Sequence, residues 1–174
     1  LVHEKAPALP ALILGLGLYA LAAVLGLVLA VHQGFWIVLA GGLSLVMGFL
    51  YSAGPWPLSH SPFGELVAGG FLGSVLFLIV VGVAGASWDA WAVLASLPGA
   101  CMIAGILAVN NACDREADRS AGRKTLAVLL GSGPGRAYAY FWLASGFLGA
   151  GALALAQRLP WTCALVLGLA FLLG

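Results

Sequence analysis

The chain has 174 residues, of which 63% are apolar and 7% charged, with seven Lys and Arg set against six Asp and Glu. Soluble globular domains carry about 25% charged residues, so this composition excludes that class and places the chain in a lipid bilayer. The net charge of +1, made by few basic residues interspersed with acids, excludes a nucleic-acid-binding surface.

A bilayer core is crossed by about 17 to 25 consecutive apolar residues. The first such window is 9–31, too long for the apolar core of a secretory signal and without a small-residue cleavage site leading into a soluble domain, so it is expected to span. A turn at His32 and Gln33 leads to the second window, 34–51. The connection that follows, "SAGPWPLSHSP", holds Pro55, Pro57 and Pro62. Each proline fixes a backbone angle, which makes this loop stiff and shaped. The third window, 64–86, reaches the "SWDAW" turn, and the fourth covers 92–109. The segment "NNACDREADRSAGRK" then concentrates most of the charge of the chain before the fifth window, 135–156.

A sixth window opens at Trp161 and stops at Gly174 before it is long enough to cross. With Leu1 rather than Met at the start, the chain is expected to be an internal piece of a longer protein. The expected fold is all-α, a polytopic membrane bundle of five complete helices and part of a sixth in one domain over 1–174. Gly and Ala recur within the windows, as in "GLGLYALAAVLG", and let helices approach closely. Trp36, Trp88, Trp91 and Trp161 lie near window ends and read as interfacial anchors. Cys101, Cys113 and Cys163 lack metal-site spacing and imply no disulfide framework.

Five spans place the N-terminal segment, the loop 52–63 and the segment 110–133 on one side. That side carries Lys5, Arg115, Arg119, Arg123, Lys124 and Arg136, and the other only Arg158, so the first is expected to be the cytoplasmic face of the cell membrane. Two polar loops far apart in sequence then share one face.

Asp114 and Asp118 are four residues apart. If the helix of the fourth window continues through them, both carboxylates lie on one face, with Asn110 one turn earlier, in a row about 12 Å long. Hard oxygen ligands of this kind suit Mg²⁺, which keeps several waters and is commonly shared with substrate phosphates. Beside this row stand Asn111, Arg115, Arg119 and Arg123, followed by Lys124. Guanidinium and ammonium groups bind phosphate directly, so the two rows together fit a diphosphate. The competing reading is a solvated helix stabilised by acid–base pairs, its arginines explained by topology. Against it, the two asparagines continue an apolar span without a break, where exposed amides are costly unless they face a cavity. The "TLAVLLG" that follows also returns the chain at once to apolar sequence.

The stretch "NNACDREADRSAGRKTLAVLLG" closely resembles the second aspartate-rich motif of the UbiA superfamily of membrane prenyltransferases, in its 1,4-dihydroxy-2-naphthoate polyprenyltransferase branch. "YSAGPWPLSHSPFGEL" is similar to a second, more discriminating signature of that branch. The resemblance implies a bundle of about nine helices, of which the window 9–31 is the third. It implies Mg²⁺-dependent transfer of a polyprenyl group from its diphosphate to an aromatic carbon, with 1,4-dihydroxy-2-naphthoate as acceptor in menaquinone biosynthesis. On this resemblance Asp114, Asp118 and Asn110 hold metal, and Arg115, Arg119, Arg123 and Lys124 bind the diphosphate. Tyr51 stabilises the prenyl cation or positions the acceptor, while Asn110, Asn111 and Glu65 line the substrate cavity. On residues alone, Tyr51 reads as an interfacial anchor and Glu65 as a structural residue that orders the proline loop.

The first aspartate motif of the family is absent from this chain and is expected upstream of Leu1. Cys113 and Leu129 stand where the branch usually has Arg, which leaves open another aromatic acceptor within the superfamily. Two other classes compete. A transporter or channel subunit is expected to carry ionisable residues near span centres, which these windows lack. A CDP-alcohol phosphatidyltransferase needs a different spacing around its aspartates.

Overall fold

The structure, a computed structural model, describes residues 8–158 together with Pro160 and Thr162. Lys5, Trp161 and Cys163, and with them the sixth window, lie outside the described residues. Those described are helical, without a strand, and fall into two compact units that divide between Phe49 and Leu50.

In the first unit, α1 (Ala8–Gln33) is joined to α2 (Trp36–Ser52) by a turn at Gly34, whose φ of 93° only glycine adopts without strain. The Gly34 N–H donates to the Ala30 carbonyl at 2.8 Å, ending α1. The two helices meet where the Tyr19 hydroxyl lies against Gly48, in space that a Cβ would invade to 2.8 Å. Most of their leucines are exposed, as lipid-facing side chains are.

The second unit begins with the last turn of α2. A single turn of 3₁₀-helix, Leu58–His60, leads into α3 (Gly64–Val83), whose middle, Gly69–Val75, is wound as a π-helix. Then come α4 (Ala90–Cys113), α5 (Arg115–Ser120), α6 (Leu126–Leu130) and α7 (Ser132–Leu155). Helix α4 starts two residues before its window because the Asp89 carboxylate caps it, accepting from the Ala92 N–H at 2.8 Å. By length and composition, α1 from Leu9, α3, α4 and α7 can each cross a membrane. Helix α2, at 17 residues, stands at the lower limit.

Within this unit α4 is the central packing element. On one side its Ala100 and Ala104 press against Gly69 and Gly73 of α3, and the Ser96 hydroxyl donates to that of Ser74 at 2.9 Å. On the other, Gly105 receives Leu143 of α7, and Gly146 of α7 receives Met102. The buried stripe Ala104, Ala108, Asn111 follows helical spacing, so the core of α4 runs directly into a polar residue at its end.

Candidate active site

The charged segment is not one continuous helix. Asp114, with φ −87° and ψ 6°, ends α4 and caps α5. Helical hydrogen bonding is nevertheless carried across the break: the Asp114 N–H donates to the Asn110 carbonyl at 2.9 Å, and the Asp118 N–H to the Asp114 carbonyl at 2.8 Å. The Asn110, Asp114, Asp118 row therefore keeps its spacing while its members differ in environment. Asn110 and Asp114 are exposed, whereas Asp118 is buried at 4% exposure.

Helix α5 ends on Gly122, which takes a φ of 72°. The Gly122 N–H donates to the Arg119 carbonyl at 3.1 Å and the Arg123 N–H to the Asp118 carbonyl at 2.9 Å. This is the paired closure of a Schellman motif, which bends the chain back over the last turn. The Arg123 side chain returns onto Asp118, with Nη1 2.7 Å from Oδ1. Its other terminal nitrogen, Nη2, donates to the Ser59 carbonyl at 3.1 Å. One residue on, the Lys124 N–H donates to the His60 carbonyl at 2.9 Å. The proline loop and the charged segment, far apart in sequence, are joined by these two contacts.

Deeper in, the Asn111 amide donates to Glu65 Oε1 at 2.8 Å, tying the end of α4 to the start of α3. Glu65 is fully buried, and its Oε2 has no hydrogen-bond partner among the described residues. Tyr51, partly buried at the end of α2, is close enough to Glu65 and Arg123 for both charges to act on its hydroxyl. Tyr138 of α7 feels Glu65 in the same way. The site thus gathers Tyr51, Glu65, Asn111, Asp118 and Arg123. Arg115 instead forms an ion pair with its neighbour Glu116, and the side chains of Arg119 and Lys124 are exposed.

Among the described residues no three His, Cys, Asp or Glu side chains cluster as a complete metal site. The donors present are the two carboxylates and the amide of the Asn110 row. They fit a hard divalent cation that draws its other ligands from water, phosphate or further chain. At Asp118, Oδ1 is held by Arg123, while Oδ2 is buried without a hydrogen-bond partner among the described residues. Buried polar atoms are normally satisfied, and a water or an ion is among the partners that would satisfy this one.

Several groups at this site are not readable from sequence. The Ser59 and His60 contributions are backbone carbonyls, which no side-chain pattern announces. Tyr138 lies near the start of the apolar window 135–156, where the sequence gives it no role. Thr125 is fully buried, and its hydroxyl has no partner among the described residues; its place directly after the basic pair is its one sequence signal. The opposite end of α4 holds a cleft of about 480 Å³ against α7, lined by Trp91, Leu94, Pro98, Gly149 and Leu153, among others. Its lining is apolar, and Arg158 lies over the Trp91 ring at 4.0 Å, so this is a different place from the Asp118 cluster.

The profile of the UbiA prenyltransferase family matches residues 4–174 of the chain. A 1,4-dihydroxy-2-naphthoate octaprenyltransferase of Bacillus subtilis (strain 168) is 37% identical over 118 residues, covering 68% of this chain and 38% of that protein. Proteins of the same description from Mycobacterium tuberculosis and Haemophilus influenzae are 34% and 30% identical, covering 64% and 70% of this chain and 38% and 40% of their own lengths. The chain thus spans about two fifths of the curated relatives it matches. No solved structure matches it.

Proposed function

The chain belongs to the UbiA prenyltransferase family, and from that membership we propose that it forms part of a membrane enzyme of menaquinone biosynthesis. The reaction is transfer of a polyprenyl group from its diphosphate to an aromatic acceptor, 1,4-dihydroxy-2-naphthoate. The observation that carries this reading is the junction of the proline loop with the charged segment at Ser59, Arg123 and Asp118. Two signatures of one branch meet there in space, beside a carboxylate oxygen without a hydrogen-bond partner among the described residues. The relatives described as octaprenyltransferases acting on this acceptor support the substrate assignment.

Allylic diphosphate ionisation separates charge, so the site must neutralise the departing anion and keep water from the cation. Asp114, Asp118 and the Asn110 amide would hold Mg²⁺, which would supply electrophilic stabilisation of the diphosphate. Arg119 and Lys124, exposed on either side of Gly122, place positive charge where the diphosphate oxygens arrive, and Arg115 adds to it by exchanging Glu116 for phosphate. Arg123 belongs to the same basic end through its hold on Asp118. The apolar faces of α3, α4 and α7 exclude water and follow the isoprenoid chain into the bilayer. On this reading Tyr51 serves the prenyl cation or the acceptor, and Asn111 and Glu65 belong to the wall of the substrate cavity. The loops 52–63 and 110–133 lie on the cytoplasmic face of the cell membrane.

The test is turnover in membranes holding the intact protein, with prenyl diphosphate and 1,4-dihydroxy-2-naphthoate supplied. Asp114→Asn and Asp118→Asn are each expected to abolish prenylation while folded protein remains. Wild-type turnover in either variant would remove the metal role. Transfer to a different aromatic ring alone would retain the family chemistry and change the acceptor.

A further inference from the structure

The sequence casts Arg123 as a direct ligand of the diphosphate, but its guanidinium is already engaged on both terminal nitrogens. Nη1 is 2.7 Å from Asp118 Oδ1 and Nη2 is 3.1 Å from the Ser59 carbonyl. The third nitrogen, Nε, is buried without a hydrogen-bond partner among the described residues, so both donors that are engaged serve protein acceptors. The carboxylate it holds is 5% exposed, and the guanidinium side chain 29%. Resting on the reading above, we infer that Arg123 is a positioning residue. It fixes the Asp118 carboxylate so that Oδ2 is presented to the divalent cation, and it locks the proline loop to that carboxylate.

The physics favours this role over a phosphate contact. A ligating carboxylate needs its second oxygen hydrogen-bonded to hold one orientation, and outer partners of this kind change metal affinity by about 10- to 100-fold when removed. A planar fork can serve two acceptors in fixed geometry, which a lysine ammonium on a flexible stem cannot reproduce. The Schellman turn at Gly122 brings Arg123 back over Asp118, so the fork is placed by backbone rather than by chance of rotamer. Arg119 and Lys124 remain exposed for the anion. A direct phosphate ligand has a different signature: its removal raises KM for the diphosphate and does not weaken the binding of metal alone.

The experiment measures Mn²⁺ binding by electron paramagnetic resonance to the purified intact protein in detergent, without diphosphate, for wild type, Asp118→Asn, Arg123→Gln and Arg123→Lys. Amide exchange at residues 58–61 and at Lys124 is followed in metal-free samples. Both Arg123 variants are expected to weaken Mn²⁺ by about tenfold or more and to speed exchange in the proline loop. In turnover, kcat falls while KM for the prenyl diphosphate stays within about twofold, because the anion contacts are elsewhere. Arg123→Lys keeps the charge and carries the test if Arg123→Gln does not fold. Mn²⁺ affinity that is unchanged or tighter in the folded variants, with a raised KM for diphosphate, would overturn the inference in favour of direct phosphate binding. If Asp118→Asn itself leaves Mn²⁺ affinity unchanged, the metal site proposed above fails, and this inference with it. Normal loss in Asp118→Asn with indifferent Arg123 variants sinks this inference alone.

Discussion

Removing the Asn111 side chain would strip Glu65 of the hydrogen bond that the structure gives it inside the protein. A buried polar group that loses its partner costs its desolvation, whereas replacing both partners with apolar groups of similar size is nearly neutral. Asn111→Leu is therefore expected to destabilise the detergent-solubilised protein by about 3 kcal/mol, and the double variant with Glu65→Leu to recover most of it. A melting series in which the double variant is as unstable as the sum of the singles would exclude the coupling. The two aspartates should also part in stability. Asp118→Asn removes a half-buried ion pair and is expected to cost about 2 kcal/mol, while Asp114→Asn, on an exposed carboxylate, leaves the melting temperature in place. Equal melting shifts would contradict the burial difference. At this scale the candidate residues were legible because oxygen and guanidinium groups are so scarce in this chain. Their pairing was not, since Asp118 and Arg123 are five residues apart and were assigned to separate rows. Only the glycine between them turns one back on the other.

The contact of α3 with α4 turns on Gly73, where an added Cβ would come 2.3 Å from the Ala100 Cα, an atom of the backbone that cannot yield. A Cβ added at Gly70, three residues earlier, would meet nothing within 4 Å. Gly73→Ala is expected to cost about 3 kcal/mol by overpacking, and Gly70→Ala to change stability by less than about 1 kcal/mol. Thermal unfolding of the two variants side by side checks this, and similar losses would mean that the helices do not meet where described. Apolar length located the long helices to within a few residues, because spanning requires an unbroken run. Short elements escaped it: α5 and α6 occupy a segment read as a loop, and the π-wound stretch of α3 leaves no mark in hydropathy. The one-helix expectation for the aspartate row failed at Asp114, a residue type that competes with helical backbone and favours caps.

For the molecule as a whole, span parity placed the loops 52–63 and 110–133 on one face, and they touch through backbone and side chain. Single cysteines introduced near Ser59 and near Ser120 are expected to label from the same, cytoplasmic, side of sealed membranes. Labelling from opposite sides would break the composite site. Sequence could bring the loops to a common surface but could not name the atoms that join them, because those are carbonyls fixed by tertiary folding. The junction has a further consequence in the order of biosynthesis. Arg123 and Ser59 stand 64 residues apart, with two spans between them, so the proline loop leaves the ribosome long before its partner exists. Closing a chain segment costs conformational entropy that grows only slowly with its length, and once the first strap has closed it, Lys124 reaches His60 at almost no added entropic cost. The second strap therefore follows readily on the first, and a nascent chain halted after α3 carries a proline loop that keeps its own turn, the His60 N–H donating to the Pro57 carbonyl, but lacks both straps.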